Sequence, residues 1–384
     1  MAILFNVGCK LNQYEGSCLF EKFRTDDNVI IVNTCCVTHE AELKSLKKFR
    51  QAKRNFPDKK IIITGCLVQL KPELFVDCEK IDNEERNRIN EYIFPEPKKS
   101  RYFLKIEDGC NQPCTFCVVS KLRKKIISKP VDIIKKEIEW ARNLGFNEIV
   151  LVGANIGLYG IDIDSSLIEI LKESLKIKNL PRIRLSSLEP NFITAELISC
   201  IKDLPFCRHF HIPVQSGDDR ILSLMGRQYD SNYLKNIFEL ITKNFTDVAI
   251  GADVIVGFPE EKETEFKNTY DLIQNSPMTH LHIFTYSPRH ITEAYKLGDP
   301  VSNQEKKKRF WMLKKLISEK NYKFRQQLIG KEIFAIIEKK RGMVKGLTDN
   351  YIRINIDQIC QERELRTIKI TKVTETETFG TVVR

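Results

Sequence analysis

Short apolar runs alternating with amphipathic stretches decide what this chain can fold into. Ile3 to Val7, Val29 to Val32 and Lys60 to Thr64 read as buried strands, with helices expected at 12–23 and 40–54 between them. Such alternation builds a parallel sheet, because a crossover helix returns the chain to run in the same direction. Each strand runs into a cysteine: Gly8-Cys9, Asn33-Thr34-Cys35 and Gly65-Cys66. Ligands collect at the carboxyl ends of parallel strands. Cys9, Cys35 and Cys66 are therefore expected on one edge, where three thiolates suit a metal cluster. The competing reading is that they are small buried apolar residues, a common fate of cysteine. Cys36 is expected to point the other way and serve the core.

A second set, Cys110-Asn-Gln-Pro-Cys114-Thr-Phe-Cys117, follows a strand expected at 102–106. Three thiolates on one tight loop hold three irons of a cubane cluster and leave the fourth iron open to a small molecule. Structural zinc asks for four ligands, and no fourth Cys or His lies within this loop. Zinc and plain structural cysteines stay open as alternatives on spacing alone. A disulfide needs an oxidising compartment. Nothing here supports one: the start lacks the basic n-region and cleavage site of a signal peptide, and no run approaches a membrane span. The expectation is a soluble, cytoplasmic protein with reduced or metal-bound thiols and no membrane partner.

From Arg101 the alternation resumes on a larger scale. Strands are expected at 148–152, 182–186, 208–212, 248–256 and 281–286, and helices at 131–144, 167–176, 194–202, 219–224, 231–244 and 261–275. Together with the strand at 102–106 they make roughly six βα units, an open, curved parallel barrel. Its strand ends carry Gly153, Asn155, Glu189, Gln215 and Gly257, polar groups and glycines suited to holding a charged small molecule. His209 and His211, like His280 and His282, share one strand face each, and hydrogen-bonded core roles are expected for them rather than metal.

At 384 residues, two or three domains are expected. The expected division is residues 1–93, a linker at 94–100 with Pro95 and Pro97, an open barrel at 101–325, and a small basic module at 327–384. The stretch 302–328 reads as a basic amphipathic helix with a solvated lysine face. Beyond it come short β segments separated by turn signals at Arg341-Gly342 and Asp349-Asn350, the pattern of a small antiparallel barrel. Residues 301–384 hold 20 Lys and Arg against 10 Asp and Glu, nearly all of the net +11. A basic terminal module points to a polyanion, with RNA gripped through its phosphates.

Taken together, Gly8-Cys9-Lys10-Leu-Asn12-Gln13-Tyr14-Glu15, Asn33-Thr34-Cys35, Gly65-Cys66 and the central cysteine loop resemble the methylthiotransferases of the radical S-adenosylmethionine (radical SAM) superfamily. So do Ser187-Leu-Glu189-Pro190, His211-Ile-Pro213-Val-Gln215-Ser216-Gly217, Met225-Gly226-Arg227 and Asp253-Val-Ile-Val-Gly257-Phe-Pro259. Cys9-Lys10 followed by Asn-Gln-Tyr-Glu is most similar to the group acting on threonylcarbamoyladenosine in tRNA. The resemblance implies a fold of three parts: a parallel α/β domain, a partial (β/α)6 radical SAM barrel and a TRAM-like antiparallel barrel. It implies two [4Fe-4S] clusters, one on Cys110, Cys114 and Cys117 that binds and cleaves S-adenosylmethionine (SAM), and one on Cys9, Cys35 and Cys66 that carries sulfur. Gly153, Asn155, Glu189, Gln215 and Arg227 are the implied SAM contacts. A tRNA anticodon loop, an electron-donor protein and a sulfur source are the implied partners. Alternatives are the same chemistry on isopentenyladenosine or on a ribosomal protein, and a non-catalytic iron–sulfur or zinc RNA-binding protein. The chain departs from the family pattern at Ser120 and Lys124, where Pro and Gly are usual, and at Glu260, where Gly is favoured; its segment between Cys66 and the linker is short.

Overall fold

The computed structural model describes residues 1–340 and 342–383. The turn expected at Arg341-Gly342 falls partly on Arg341, outside the described residues, as does the terminal Arg384. No helix among the described residues is long and apolar enough to cross a membrane.

The chain opens with β1 (Ile3–Asn6), α1 (Lys10–Lys22), β2 (Val29–Thr34), α2 (His39–Asn55), β3 (Lys60–Gly65), α3 (Cys66–Leu70), β4 (Glu79–Lys80) and α4 (Asn83–Tyr92). The strands lie in the order β1-β2-β3-β4, all parallel, with Asn6 opposite Asn33 and Asn33 opposite Thr64. β2 reads Val-Ile-Ile-Val because both of its faces are buried, as in parallel sheets covered on two sides. Val29 and Ile31 join the main core, while Ile30 and Val32 pack with Phe49 and Phe75 on the other face. Residues 94–101 form neither helix nor strand.

Next come β5 (Tyr102–Lys105), β6 (Glu107–Asp108), α5 (Val119–Leu122) and β7 (Ile127–Ser128), with β6 and β7 a small antiparallel pair framing the cysteine loop. The larger alternation then runs through α6 (Val131–Asn143), β8 (Glu148–Val152), α7 (Leu167–Ser174), β9 (Arg182–Leu185), α8 (Ala195–Lys202), β10 (His209–Gln215), α9 (Asp219–Leu224), α10 (Ser231–Asn244), β11 (Ala249–Val256), α11 (Glu263–Asn275), β12 (Met278–Thr285) and α12 (Asn303–Gln326). Parallel sheets β5-β8-β9 and β10-β11-β12 are joined by bridges from Ile183 to Phe206 and from Ser187 to His211, giving an open half-barrel of six strands. Alternation along the strands sorts the side chains. Ile149, Leu151, Ile183, Leu185, Phe210, Ile212, Ala252 and Val254 join the core under the helices. The opposite, concave face carries Glu148, Arg182, Arg184, His209, His211, Asp253, His280 and His282.

The chain ends in β13 (Glu332–Lys340), β14 (Met343–Thr348), β15 (Arg353–Ile356), β16 (Leu365–Val373) and β17 (Thr378–Val382), a closed barrel in the order β13-β14-β15-β17-β16. Its pairs are antiparallel except β15 with β17, the parallel pair that closes it. Arginines seat it on the half-barrel. Arg182 donates to the carbonyls of Phe334 and Leu347, and Arg184 to those of Thr348 and Asp349, at 2.8–3.0 Å. Arg208 pairs with the Asp349 carboxylate at 2.6 Å. The expected lysine face of α12 is interrupted: Lys306 and Arg309 are buried, paired with Asp299 and Glu261.

Candidate active site

The parallel register brings Cys9, Cys35 and Cys66 to one edge. Cys9 caps the start of α1, Cys35 follows β2, and Cys66 opens α3. Gly65, with φ of 99°, stands where an added Cβ would lie 2.1 Å from the Thr34 carbonyl, so only glycine admits this tight entry to Cys66. Asn12 donates to the carbonyls of Val7 and Thr34, tying the first turn of α1 to both strand ends. The Cys35 N–H donates to Ser45 Oγ at 2.9 Å. Burial pushes the Cys35 thiol up to about 12, with the Cys66 and Cys9 sulfurs adding to the rise. Cys9 is reached by solvent, yet crowding raises its thiol as well, as for a side chain lining a concavity. Cys36 sits in the apolar cluster with Phe49 and Ile63.

The loop after β6 places Cys110, Cys114 and Cys117 together. Burial, then the neighbouring Cys114, pushes Cys117 up to about 12, and burial raises Cys110 and Cys114. Raised thiols are protonated when nothing binds them, and a thiophilic metal displaces those protons. Each set offers three thiols, donors of the kind that iron takes. Neither is drawn to the spacing of a single ion: among the described residues, the one His/Cys/Asp/Glu trio with ligand atoms within 4.8 Å is His211, Asp253 and His282.

The two sulfur sets are neighbours. Val118, directly after Cys117, packs in the same apolar cluster as Cys66 and Leu67. Arg123 spans the gap: its carbonyl accepts the Cys110 N–H at 2.9 Å, while its guanidinium reaches the edge that bears Cys9 and Cys66. That guanidinium is held by Glu15, Asp108 and Asn12 at 2.6–3.2 Å, and Arg86 and Lys105 join the same buried network. Glu15 is held down at about 2 because the Arg123, Arg86 and Lys105 cations outweigh the cost of its burial.

Four of the five implied SAM contacts border the central loop. Asn155 Nδ2 lies 3.9 Å from Cys110 Sγ. Arg227 donates to Cys114 Sγ at 2.9 Å, to Glu189 at 2.6 Å and to the Pro213 carbonyl at 2.9 Å. Burial raises the Glu189 carboxyl against the pull of Arg227. At Gly153 the close neighbour is Glu107, whose Oε2 would lie 2.5 Å from an added Cβ and accepts the Asn155 N–H. Gln215, the fifth, ends β10 at φ 67°, a left-handed conformation that costs a non-glycine residue energy and clusters at functional sites. At Gly257 the glycine makes room for the Lys306 stem.

The polar concave face was missed as a site, although strand alternation of Arg182 with Arg184, His209 with His211 and His280 with His282 carries it. Three of the four histidines are hydrogen-bonded: Asp253 Oδ1 lies 2.9 Å from His211 Nε2 and 3.2 Å from His282 Nδ1, and His280 meets Thr279 and Asn321. His209 departs from the expectation, its buried Nδ1 having no partner, and His282 is exposed rather than in the core. Of the departures, Lys124 is exposed with an ordinary backbone, so glycine's freedom is not needed there, and Ser120 lies within α5.

The Radical SAM superfamily matches residues 104–273, and the Uncharacterized protein family UPF0004 matches residues 2–83. The chain is 32% identical over 385 residues to the threonylcarbamoyladenosine tRNA methylthiotransferase MtaB of Thermotoga maritima, covering 90% of this chain and 89% of that protein. It is 33% identical to the MtaB of Aquifex aeolicus, covering 91% and 94%. It is 32% identical to the tRNA-2-methylthio-N(6)-dimethylallyladenosine synthase of Natranaerobius thermophilus, covering 89% and 85%. Among solved structures, the radical SAM methyltransferase TsrM of Kitasatospora setae shares the fold with a TM-score of 0.55 at 11% identity, over 77% of this chain and 76% of that one.

Proposed function

Since this chain belongs to the radical SAM methylthiotransferase family, we propose that it acts on tRNA, adding a methylthio group at C2 of threonylcarbamoyladenosine beside the anticodon. The observation that carries this reading is the adjacency of the two thiol sets, bridged by Arg123 and by the apolar cluster that Val118 shares with Cys66. Relatives named for threonylcarbamoyladenosine support the substrate.

Cys110, Cys114 and Cys117 would hold the SAM-binding [4Fe-4S] cluster, and Cys9, Cys35 and Cys66 a second, sulfur-bearing one. When bound, these groups and SAM supply radical hydrogen abstraction, sulfur and methyl. The chain's own residues do the rest. Asn155 and Arg227 donate toward Cys110 and Cys114 sulfur and steady the loop. Glu189, kept next to Arg227, offers an acceptor for the amino group of a bound amino acid. The network around Glu15 and Arg123 fixes the distance between the two sites, because a buried network of satisfied charges tolerates little displacement. The wall of the half-barrel keeps water from a reactive intermediate. The closed basic barrel, TRAM-like in its position, grips RNA phosphates.

Two measurements test the reading. Reconstituted without air, the protein holds about eight irons, falling to about four on replacement of Cys9, Cys35 and Cys66 by Ala, with SAM cleavage retained and thiolation lost. Nucleosides from tRNA of cells lacking the gene lose 2-methylthio-threonylcarbamoyladenosine. Loss of the dimethylallyl counterpart instead moves the substrate to that group, and thiolation by the Ala variant removes the second cluster from the account.

A further inference from the structure

Three adjacent strands bring two imidazoles and a carboxylate to one point of the concave face. His211 lies on β10, Asp253 on β11 and His282 on β12, with Asp253 opposite His282 in the register. One oxygen, Asp253 Oδ1, stands 2.9 Å from His211 Nε2 and 3.2 Å from His282 Nδ1, and the three groups offer ligand atoms within 4.8 Å of one another. Gly251, two residues before Asp253 on the same strand, sits opposite His211. An added Cβ there would lie 2.9 Å from His211 Nδ1, so a bare backbone is what admits this ring beside β11.

Hydrogen bonding accounts for the contact but leaves three features unexplained. Both rings converge on one carboxylate oxygen, and among the described residues nothing donates to the other, Oδ2. His209, on the same strand as His211, is 4% exposed and its Nδ1 has no partner, which marks a place where a further polar group is needed. His209, His211 and His282 also line one cavity of about 720 Å³, with His280 and Tyr351 in the same wall.

The spacings fit a single ion. Donors about 2.0–2.2 Å from one metal and about 90–110° apart around it are themselves about 2.8–3.6 Å apart. Both distances from Asp253 Oδ1 fall in that range. The His282 side chain is 63% exposed, which gives its ring room to turn and close the third edge. Two imidazoles with one carboxylate suit zinc, iron or cobalt, and three protein ligands are the number that leaves coordination positions open.

We propose that His211, Asp253 and His282 bind a divalent transition-metal ion through two imidazole nitrogens and a carboxylate oxygen, with its remaining positions open to the cavity. The site uses none of the six cysteines assigned to clusters and does not depend on the tRNA-modifying reading. The ion takes the place of the protons shared with Asp253 Oδ1, and each imidazole stays neutral with its proton on the other ring nitrogen. Water, or a donor atom of a molecule in the cavity, completes the coordination.

Cobalt(II) is the probe. Cluster-loaded protein, kept from air, is cleared of loosely held metal with EDTA, desalted and titrated with cobalt chloride. The oxidised clusters are diamagnetic, so the paramagnetic resonance belongs to cobalt. Wild type retains about one cobalt per chain through gel filtration, with hyperfine coupling to imidazole nitrogen. His282→Ala, at an exposed position that spares the fold, weakens uptake about a hundredfold, as much as even an outer partner of a metal ligand costs. Asp253→Asn weakens it likewise, His39→Ala leaves it unchanged, and iron content is the same in all. Three results overturn the site: no cobalt retained by wild type, equal uptake by wild type and His282→Ala, or a thiolate-to-cobalt absorption band, which places the ion on cysteine instead.

Discussion

Arg123 grips both carboxylate oxygens of Glu15, one from each terminal nitrogen, at 2.9 Å. The two residues are 108 positions apart, and the pair is buried in full, with Glu15 also within 3.2 Å of Arg86 and 2.6 Å of Lys105. Glu15 rides on the helix that begins at Cys9, and Arg123 follows the loop of Cys110, Cys114 and Cys117. Their bond ties together the two segments that carry the sulfur sets.

Removing one member of such a network leaves the others charged and unpaired in a site closed to water. Arg123→Met is expected to destabilise the fold by about 3–5 kcal/mol, read as a shift in the urea midpoint with an unchanged slope. Arg123→Lys keeps the charge and loses the fork, and should recover part of the loss. A midpoint unchanged in Arg123→Met would mean that the network carries no weight.

The same carboxylate sets a pH dependence. Glu15 is depressed in the folded chain, from an ordinary 4.5 to about 2, so the unfolded chain binds the proton more readily. Its contribution is fully present above about pH 4.5 and is lost as pH falls toward 2. The stability gap between wild type and Glu15→Gln should therefore narrow steadily across that window and hold constant above it. A gap that stays level down to pH 3 contradicts the assignment.

The parallel sheet and the half-barrel were legible because each buried strand is a short apolar run with a cysteine or a polar group at its end. Strand and helix limits from 131 to 275 follow the pattern closely, since amphipathic helices and two-sided strands leave periodic traces in sequence. What sequence did not yield was pairing across distance. Glu148, Arg182 and Arg184 look like ordinary charged strand residues, and only the fold shows one carboxylate shared by arginines that then reach the carbonyls of a distant barrel. Lys306 falls on the lysine face expected to be solvated, because its pairing with Asp299, like that of Arg309 with Glu261, joins segments whose meeting leaves no periodic trace. The stacking of Tyr351 on His209 left no trace in sequence either, because it depends on a left-handed turn inserted into another unit.

Glu260 offers a test of local strain. It follows Phe258-Pro259 at φ 70°, where the family pattern favours glycine. Its carboxylate lies 4.0 Å from Arg220, both half exposed, a contact of little weight. A left-handed conformation costs a non-glycine residue about 1–2 kcal/mol, and glycine returns part of that gain through the looser unfolded chain. Glu260→Gly should raise stability by about 0.5–1 kcal/mol, and thermal melting by about 1–3 °C. A lower melting temperature would show that the Glu260 side chain contributes more than its geometry implies.

Glu148 holds the C-terminal barrel in place without touching it. Its oxygens accept from Arg182 at 2.8 Å and Arg184 at 2.7 Å, and Arg101 lies 3.6 Å away. So oriented, Arg182 and Arg184 donate to four carbonyls on and after β13 and β14. With Glu148→Leu, three guanidinium groups crowd one buried spot with no counter-charge, and the cheapest relief is to turn outward and drop those carbonyls. The expected result is faster hydrogen exchange at Leu347 to Asp349 and easier proteolysis between α12 and β13, while the buried strands β2 and β3 keep their protection. Glu148 opens β8, at the end away from the strand ends that lead to the central cysteine loop, and Cys9, Cys35 and Cys66 belong to another sheet, so iron content should hold and affinity for RNA should fall. Protection lost equally in β2 and β14 would instead place Glu148 in the global core and remove its separate role in docking the barrel.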